Sequence, residues 1–202
     1  MNHRVQGQRC QRYTGNPTAI ADTPSDKARL RALLRRRRKG LGTVAQEAAA
    51  QAIADHIEQL PVWSGARHIA LYFAADGEIE TAALGARGRA TGKQLYLPVI
   101  RDDDSLEFAR WDNGIALHPN RYGIPEPPAA CARCETRDLD IIFMPLVGWD
   151  RSGGRLGMGG GFYDRSLAGS QGPVLVGLAH SCQEVDQLPL DPWDARLDYI
   201  AT

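Results

Sequence analysis

The chain reads as an α/β protein in three layers, with helices on both faces of a largely parallel central sheet. Three observations predict it. Helical periodicities alternate along the chain with short apolar runs of strand length. One run, Leu139 to Leu146, is rich in isoleucine and bounded by Asp138 and Pro145, as a buried strand would be. A glycine-dense loop, Gly154 to Gly161, then joins that run to a helix start at Phe162. Folds of this kind gather their ligands at such loops, beyond the carboxyl ends of the strands.

The elements follow in order. Residues 1–24 lack apolar periodicity and read as a disordered extension. One domain is expected from 25 to 202. Ser25 or Asp26 caps a first helix whose buried face carries Leu30, Leu33 and Leu34 and which ends near Gly40. Thr43 with Gln46 forms a capping box for a second helix, striped by Val44, Ala48, Ala52, Ile53 and Ile57 and closed by Pro61. A strand spans His68 to Phe73, a turn falls at Asp76-Gly77, and a short helix runs from Thr81 to Ala90. The next strand, Lys93 to Val99, is cut short by Pro98, and Leu106 to Arg110 alternates as another. Residues 112–137 look irregular. After the glycine loop come a helix from Phe162 to Ala168, a strand from Val174 to Ala179 and a last short strand from Leu197 to Ala201.

Composition excludes several classes of function. With 202 residues, 43% hydrophobic and 24% charged, the chain can bury an ordinary globular core. Its 24 basic and 24 acidic residues cancel, so no global field calls for nucleic acid or an acidic membrane. No apolar run approaches the roughly 18 residues of a membrane helix, and the N-terminus lacks the apolar core of a signal peptide. A cytoplasmic monomer is the expectation. Cys131 and Cys134 sit in a proline-rich loop and, with Cys10 and Cys182, read as reduced thiols.

The glycine loop carries the chemistry. Backbone amides crowded between a strand and a helix start can surround an anion. Arg155 and Arg165 at its ends suit phosphate, and Asp164 is the hard oxygen ligand that magnesium prefers. No Gly-Lys-Ser/Thr closes the loop, so it is no Walker motif, and it lies too late for a dinucleotide fingerprint. The first helix stacks Lys27, Arg31, Arg35 and Arg38 on one face, an arrangement that costs stability unless an anion is bound. It reads as a phosphate-binding face, a solvated basic face or a nucleic-acid patch around Arg35 to Lys39. Glu78 and Glu80 either face a ligand or form a solvated turn. Tyr122, in a segment stiffened by Pro125 and Pro127, can present its ring to a flat heterocycle.

In order, these blocks resemble the 5-formyltetrahydrofolate cyclo-ligase family. The resemblance rests on Lys27-Ala-Arg-Leu-Arg31, Gly77-Glu-Ile-Glu-Thr81, Tyr122-Gly-Ile-Pro-Glu-Pro127, Asp140 to Asp150, Gly154 to Arg165, Gln187-Leu-Pro189 and Asp194 to Thr202. It implies ATP- and magnesium-dependent closure of 5-formyltetrahydrofolate to 5,10-methenyltetrahydrofolate. It further implies an ATP site of Lys27, Arg31, Arg155, Gly157, Met158, Gly159, Gly160, Gly161, Phe162, Tyr163 and Asp164. Within it, Lys27, Arg155 and Tyr163 would act on the reacting phosphoryl. Magnesium would sit on Asp164, with Asp194 and then Asp198 as further candidates. Tyr72, Glu78 and Tyr122 would hold the folate. Two positions depart from the family pattern: Phe162 stands where tyrosine is usual, and Trp193 where histidine is common. A related-fold ATP-dependent enzyme, or a family homologue with another substrate, is the alternative this reading leaves open.

Overall fold

The computed structural model describes residues 24–169 and 172–202, so the expected extension lies outside the described residues except for Pro24. Helix α1 spans Pro24–Lys39, α2 Thr43–Ile57, and a short α3 Pro61–Gly65. Strand β1 (His68–Ala70), α4 (Ala82–Ala90), β2 (Gln94–Ile100) and β3 (Leu106–Arg110) follow. Three short strands come next: β4 (His118–Pro119), β5 (Pro125–Glu126) and β6 (Arg133–Cys134). Then come β7 (Ile141–Pro145), β8 (Gly148–Trp149), β9 (Arg155–Leu156), α5 (Phe162–Leu167), β10 (Val174–Leu178) and β11 (Tyr199–Ala201).

One sheet of seven strands runs in the order β11-β10-β7-β1-β2-β3-β6. Its first five strands are parallel, β3 runs antiparallel to β2, and β6 runs antiparallel to β3. The largely parallel α/β architecture expected from the sequence is the one observed. Side chains alternate between two cores with the period of two that a strand imposes. Ile69, Ile141 and Phe143 face a cluster with Ile53 and Ile57 of α2, Trp63 of α3 and Leu84 of α4. Ala70, Ile142 and Met144 face the other cluster, which includes Leu167 of α5. In α4 a Cβ at Gly88 would stand 3.0 Å from Leu95, so glycine there lets the helix lie directly on β2.

Several expectations need correcting. Leu33 is exposed and Val44 is 80% exposed; the buried face of α2 is Ala50, Ile53, Ala54 and Ile57. At about 100° per residue Val44 falls on the side opposite Ile53, and the sheet selects the Ile53 side. The capping box is absent: Gly42 caps α2 with no side-chain hydrogen bond, while Gln46 Nε2 donates to the carbonyls of Arg38 and Leu41. Strand β1 stops at Ala70, three residues short of Phe73. Pro98 does not end β2. It pairs with Phe108 of β3, and its nitrogen points to the side where β1 has already ended, so no ladder bond is lost. Segment 112–137 contains the β4–β5 pair and the edge strand β6 rather than irregular chain alone. The glycine segment begins inside a small hairpin, β8–β9.

Candidate active site

Helix α1 crosses the carboxyl ends of the strands, and its cationic stripe turns toward the site, with Arg38 fully buried like Leu34 and Arg35 partly exposed. Lys27 Nζ donates to Asp191 (2.7 Å) and Asp194 (3.2 Å). Arg31 Nε donates to the carbonyl of Gly157 at 2.8 Å. Arg35 Nε donates to Asp76 Oδ2 at 2.7 Å. Arg38, 0% exposed, donates from Nε and Nη2 to the carbonyl and carboxylate of Asp76, and from Nη1 to the carbonyl of Leu146. Lys39 also pairs with Asp76. The stripe was expected to cost stability unless an anion was bound. Instead each cation has a protein partner, so the repulsion is cancelled within the fold. These pairs also occupy Arg35, Arg38 and Lys39 of the run read as a possible nucleic-acid patch. Three cations hold the Asp76 carboxyl far below its usual range, Arg35 most strongly. Asp76 adopts a left-handed backbone (φ 56°) before Gly77 (φ 80°), which forms the expected turn.

The glycine loop is built on a second acidic anchor. Asp150 Oδ1 accepts from the amide and hydroxyl of Ser152 and the amide of Gly154, and Oδ2 from the amide of Leu188. A Cβ at Gly154 would stand 2.5 Å from that carboxylate. The hairpin so fixed delivers Arg155, buried, to the floor of the site. Its Nη2 donates to Asp164 Oδ1 at 2.7 Å, its guanidinium lies 5.6 Å from the Tyr163 ring centroid, and its buried Nε has no partner among the described residues. Beyond it the amides of Met158 to Gly161 hydrogen-bond no carbonyl among the described residues. Gly159 and Gly161 have φ values of 107° and 69°, which glycine alone adopts freely.

An apolar wall faces this loop across a cleft of about 970 Å³, lined in part by Tyr72, Pro98, Ile100, Leu106 and Ile124. The Tyr72 hydroxyl donates to the carbonyl of Ile79, which fixes the ring; burial raises its pKa. Glu78 Oε2 accepts from the amide of Ala75, and Oε1 lies 3.8 Å from Arg38. Burial raises the Glu78 carboxyl above its ordinary value, against the Ala75 amide and Arg38, which lower it. Burial also raises the Tyr163 hydroxyl, opposed by Arg155 and reinforced by Glu78. Glu126 accepts from the Ile100 amide and the Asn120 side chain, and Asn120 accepts from the amides of Tyr122 and Ile124. That network presents exposed Tyr122 edge-on to Phe162, with ring centroids 5.8 Å apart.

The cleft is lined by Lys27, Arg31, Tyr72, Glu78, Tyr122, Arg155, Gly157 to Asp164, Arg165 and Asp194, whereas Arg35, Arg38, Glu80 and Asp198 fall outside its lining, and Asp198 Oδ2 accepts instead from the Leu175 amide. Sequence reasoning missed Asp76 as an ionic hub and gave Asp191 no part at all. The signal for Asp191 was present: two aspartates one turn apart in Asp191-Pro-Trp-Asp194 make a self-bonded turn, in which the Asp191 amide donates to Asp194. Arg38 belonged to a basic face for which phosphate binding, solvation and nucleic-acid contact all stood open, and none of these is its buried pairing with Asp76 and Leu146. The donor set bears on the magnesium that the sequence resemblance implies. Asp164 Oδ1 accepts from Arg155 and the Ala195 amide, and Asp194 Oδ2 from Lys27 and the Asp191 amide. No cluster of three metal-ligating side chains occurs among the described residues. The site therefore fits an ion held by one or two carboxylates together with substrate phosphates, the usual magnesium arrangement, and not an all-protein cage.

A doubly covered, largely parallel sheet with a charged and apolar cleft at its carboxyl edge defines an α/β enzyme. The profile of the 5-formyltetrahydrofolate cyclo-ligase family matches residues 23–202. The 5-formyltetrahydrofolate cyclo-ligase of Haemophilus influenzae is 39% identical over 176 residues, covering 85% of this chain and 94% of that protein. The Escherichia coli K12 protein of the same name is 36% identical over 180 residues, covering 84% and 96%. The solution structure of Aquifex aeolicus 5,10-methenyltetrahydrofolate synthetase superposes with a TM-score of 0.77 at 30% identity, covering 87% of this chain and 88% of that one. The Mycoplasma pneumoniae synthetase does so with a TM-score of 0.70 at 27% identity, covering 87% and 97%. The chain belongs to the 5-formyltetrahydrofolate cyclo-ligase family and is a ligase. No helix among the described residues is long and apolar enough to cross a membrane.

Proposed function

We propose that this chain closes 5-formyltetrahydrofolate to 5,10-methenyltetrahydrofolate at the expense of ATP, acting as a cytoplasmic monomer. The observation that carries this reading is that the unpaired loop amides, with Lys27, Arg31 and Arg155, share one cleft with the Tyr72–Glu78–Tyr122 wall. The formyl oxygen attacks the γ-phosphorus and ADP leaves. The neighbouring folate nitrogen then attacks the activated carbon and gives up its proton to solvent, the carbon–oxygen bond breaks, and phosphate departs. Phosphoryl transfer asks a protein for alignment and charge neutralisation rather than covalent chemistry. Lys27 and Arg155 supply fixed positive charge at the cleft, and the Met158 to Gly161 amides cradle the phosphates. Tyr163, kept protonated by its surroundings, can donate a hydrogen bond to a transferring oxygen. Asp164 or Asp194 would hold magnesium, which would supply further positive charge beside the phosphates. Glu78 accepts from pterin N–H groups while Tyr72 and Tyr122 flank the ring.

Purified protein given ATP, magnesium and 5-formyltetrahydrofolate should develop the near-ultraviolet absorbance of the methenyl product. A folded preparation that leaves the spectrum unchanged would reject the reading.

Glu78→Gln tests the folate end. A hydrogen bond to a charged group contributes about 1.5–3 kcal/mol, so folate affinity should fall by about tenfold to a hundredfold, with ATP affinity unchanged. Stability should move the other way. A carboxyl raised by burial is least comfortable when ionised, so the variant should melt above wild type at neutral pH. That advantage should fade as pH falls through the raised Glu78 value. Melting curves across pH check the sign, and a variant less stable than wild type at neutral pH would contradict it.

A further inference from the structure

We propose that Trp193 is the platform on which the base of the nucleoside triphosphate stacks, an inference that rests on the nucleotide reading above. The chain has four tryptophans. Trp63 and Trp149 are buried, and Trp111 carries Arg89 over its face and Phe73 at its edge. Trp193 is 68% exposed, lines the cleft, and has neither a ring nor a cation against it among the described residues.

The backbone that carries it is fixed. The Asp194 amide donates to the Asp191 carbonyl, the Asp191 amide to Asp194 Oδ2, and Lys27 clasps both carboxylates. The Ala195 amide ties the same turn to Asp164 beside the glycine loop. A rigid turn that presents an uncovered ring over a cleft is suited to a flat partner.

Helix α1 decides which flat partner. Lys27 marks the Trp193 turn, Arg31 the glycine loop, and Arg38 the Asp76–Glu78 turn. At about 1.5 Å per residue, Lys27 and Arg38 are about 16 Å apart along the axis. The pterin belongs at the Glu78 end and the phosphates at the loop between. The heterocycle left for the Trp193 end is the nucleotide base. Met158, half exposed on the loop next to Arg31's anchor, lines the same cleft with a polarisable side chain.

The test compares ATP with inorganic tripolyphosphate, each with magnesium, by titration calorimetry on the full chain. Stacking one base on an aromatic ring is worth about 1–3 kcal/mol, so Trp193→Ala should weaken ATP by about tenfold. Tripolyphosphate and 5-formyltetrahydrofolate should bind the variant as they bind wild type, and Trp193→Phe should recover part of the ATP affinity. Unchanged ATP affinity, or equal weakening of ATP and tripolyphosphate, would overturn the proposal, the latter placing the effect in the Lys27 turn. So would wild type that holds both polyanions equally, or a loss confined to the folate. Wild type that binds neither polyanion would remove the nucleotide reading itself, and the platform with it.

Discussion

Arg155→Met should cut kcat by about a thousandfold while leaving the KM for 5-formyltetrahydrofolate nearly unchanged. The residue is buried, directed by the β8–β9 hairpin, and holds a buried Nε free among the described residues. A buried charge aimed at a transferring phosphoryl acts mainly in the transition state, where losing one preorganised donor typically costs about 10²–10³ and losing a dedicated arginine about 10³–10⁵. Arg155→Lys should recover only part of the rate, because an ammonium cannot reach Asp164 and a phosphate oxygen with the same planar fork. Steady-state kinetics on protein with a wild-type melting profile decides it. A kcat within tenfold of wild type would take Arg155 out of the chemistry and leave it as the orienter of Asp164.

Arg38→Met should produce the largest loss of stability of any single change in α1. The methionine fills much of the volume but leaves the Leu146 carbonyl without the Nη1 donor and Asp76 with two cations instead of three. Breaking a buried ion pair by removing one partner costs about 3–5 kcal/mol. Gln183 still donates to Leu146, and Arg35 and Lys39 still face Asp76, so about 3 kcal/mol is expected here. In a domain of this size that lowers Tm by about 6–12 °C. Urea unfolding should show a lower midpoint at unchanged slope. Folate binding should weaken below the melting range, because Glu78 loses its nearest cation. A midpoint within error of wild type would show that the remaining cations carry the turn alone.

Elements that organise themselves locally were legible in the sequence. Strand β7 is buried on both faces, so it is apolar throughout and reads as a strand without its neighbours. The glycine loop declared itself because its conformation demands glycine where φ is positive. Features set by distant partners were hidden. The basic stripe of α1 left an anion site, a solvated face and a nucleic-acid patch all open because its acidic partners, Asp76, Asp191 and Asp194, lie far along the chain. Gln46 fits a capping box by spacing, yet two carbonyls at the end of α1 claim its side chain. Pro98 ends a strand by rule, and only the early finish of β1 makes it harmless. Strands of two residues, as in β8–β9, are too short to have a period.

Helix α1 touches the Trp193 turn, the glycine loop and the Glu78 turn with one rigid rod. A ligand that moved that helix at one end would load its contacts at the other. Thermodynamic reciprocity then requires that any help nucleotide gives to folate be returned by folate to nucleotide in equal measure.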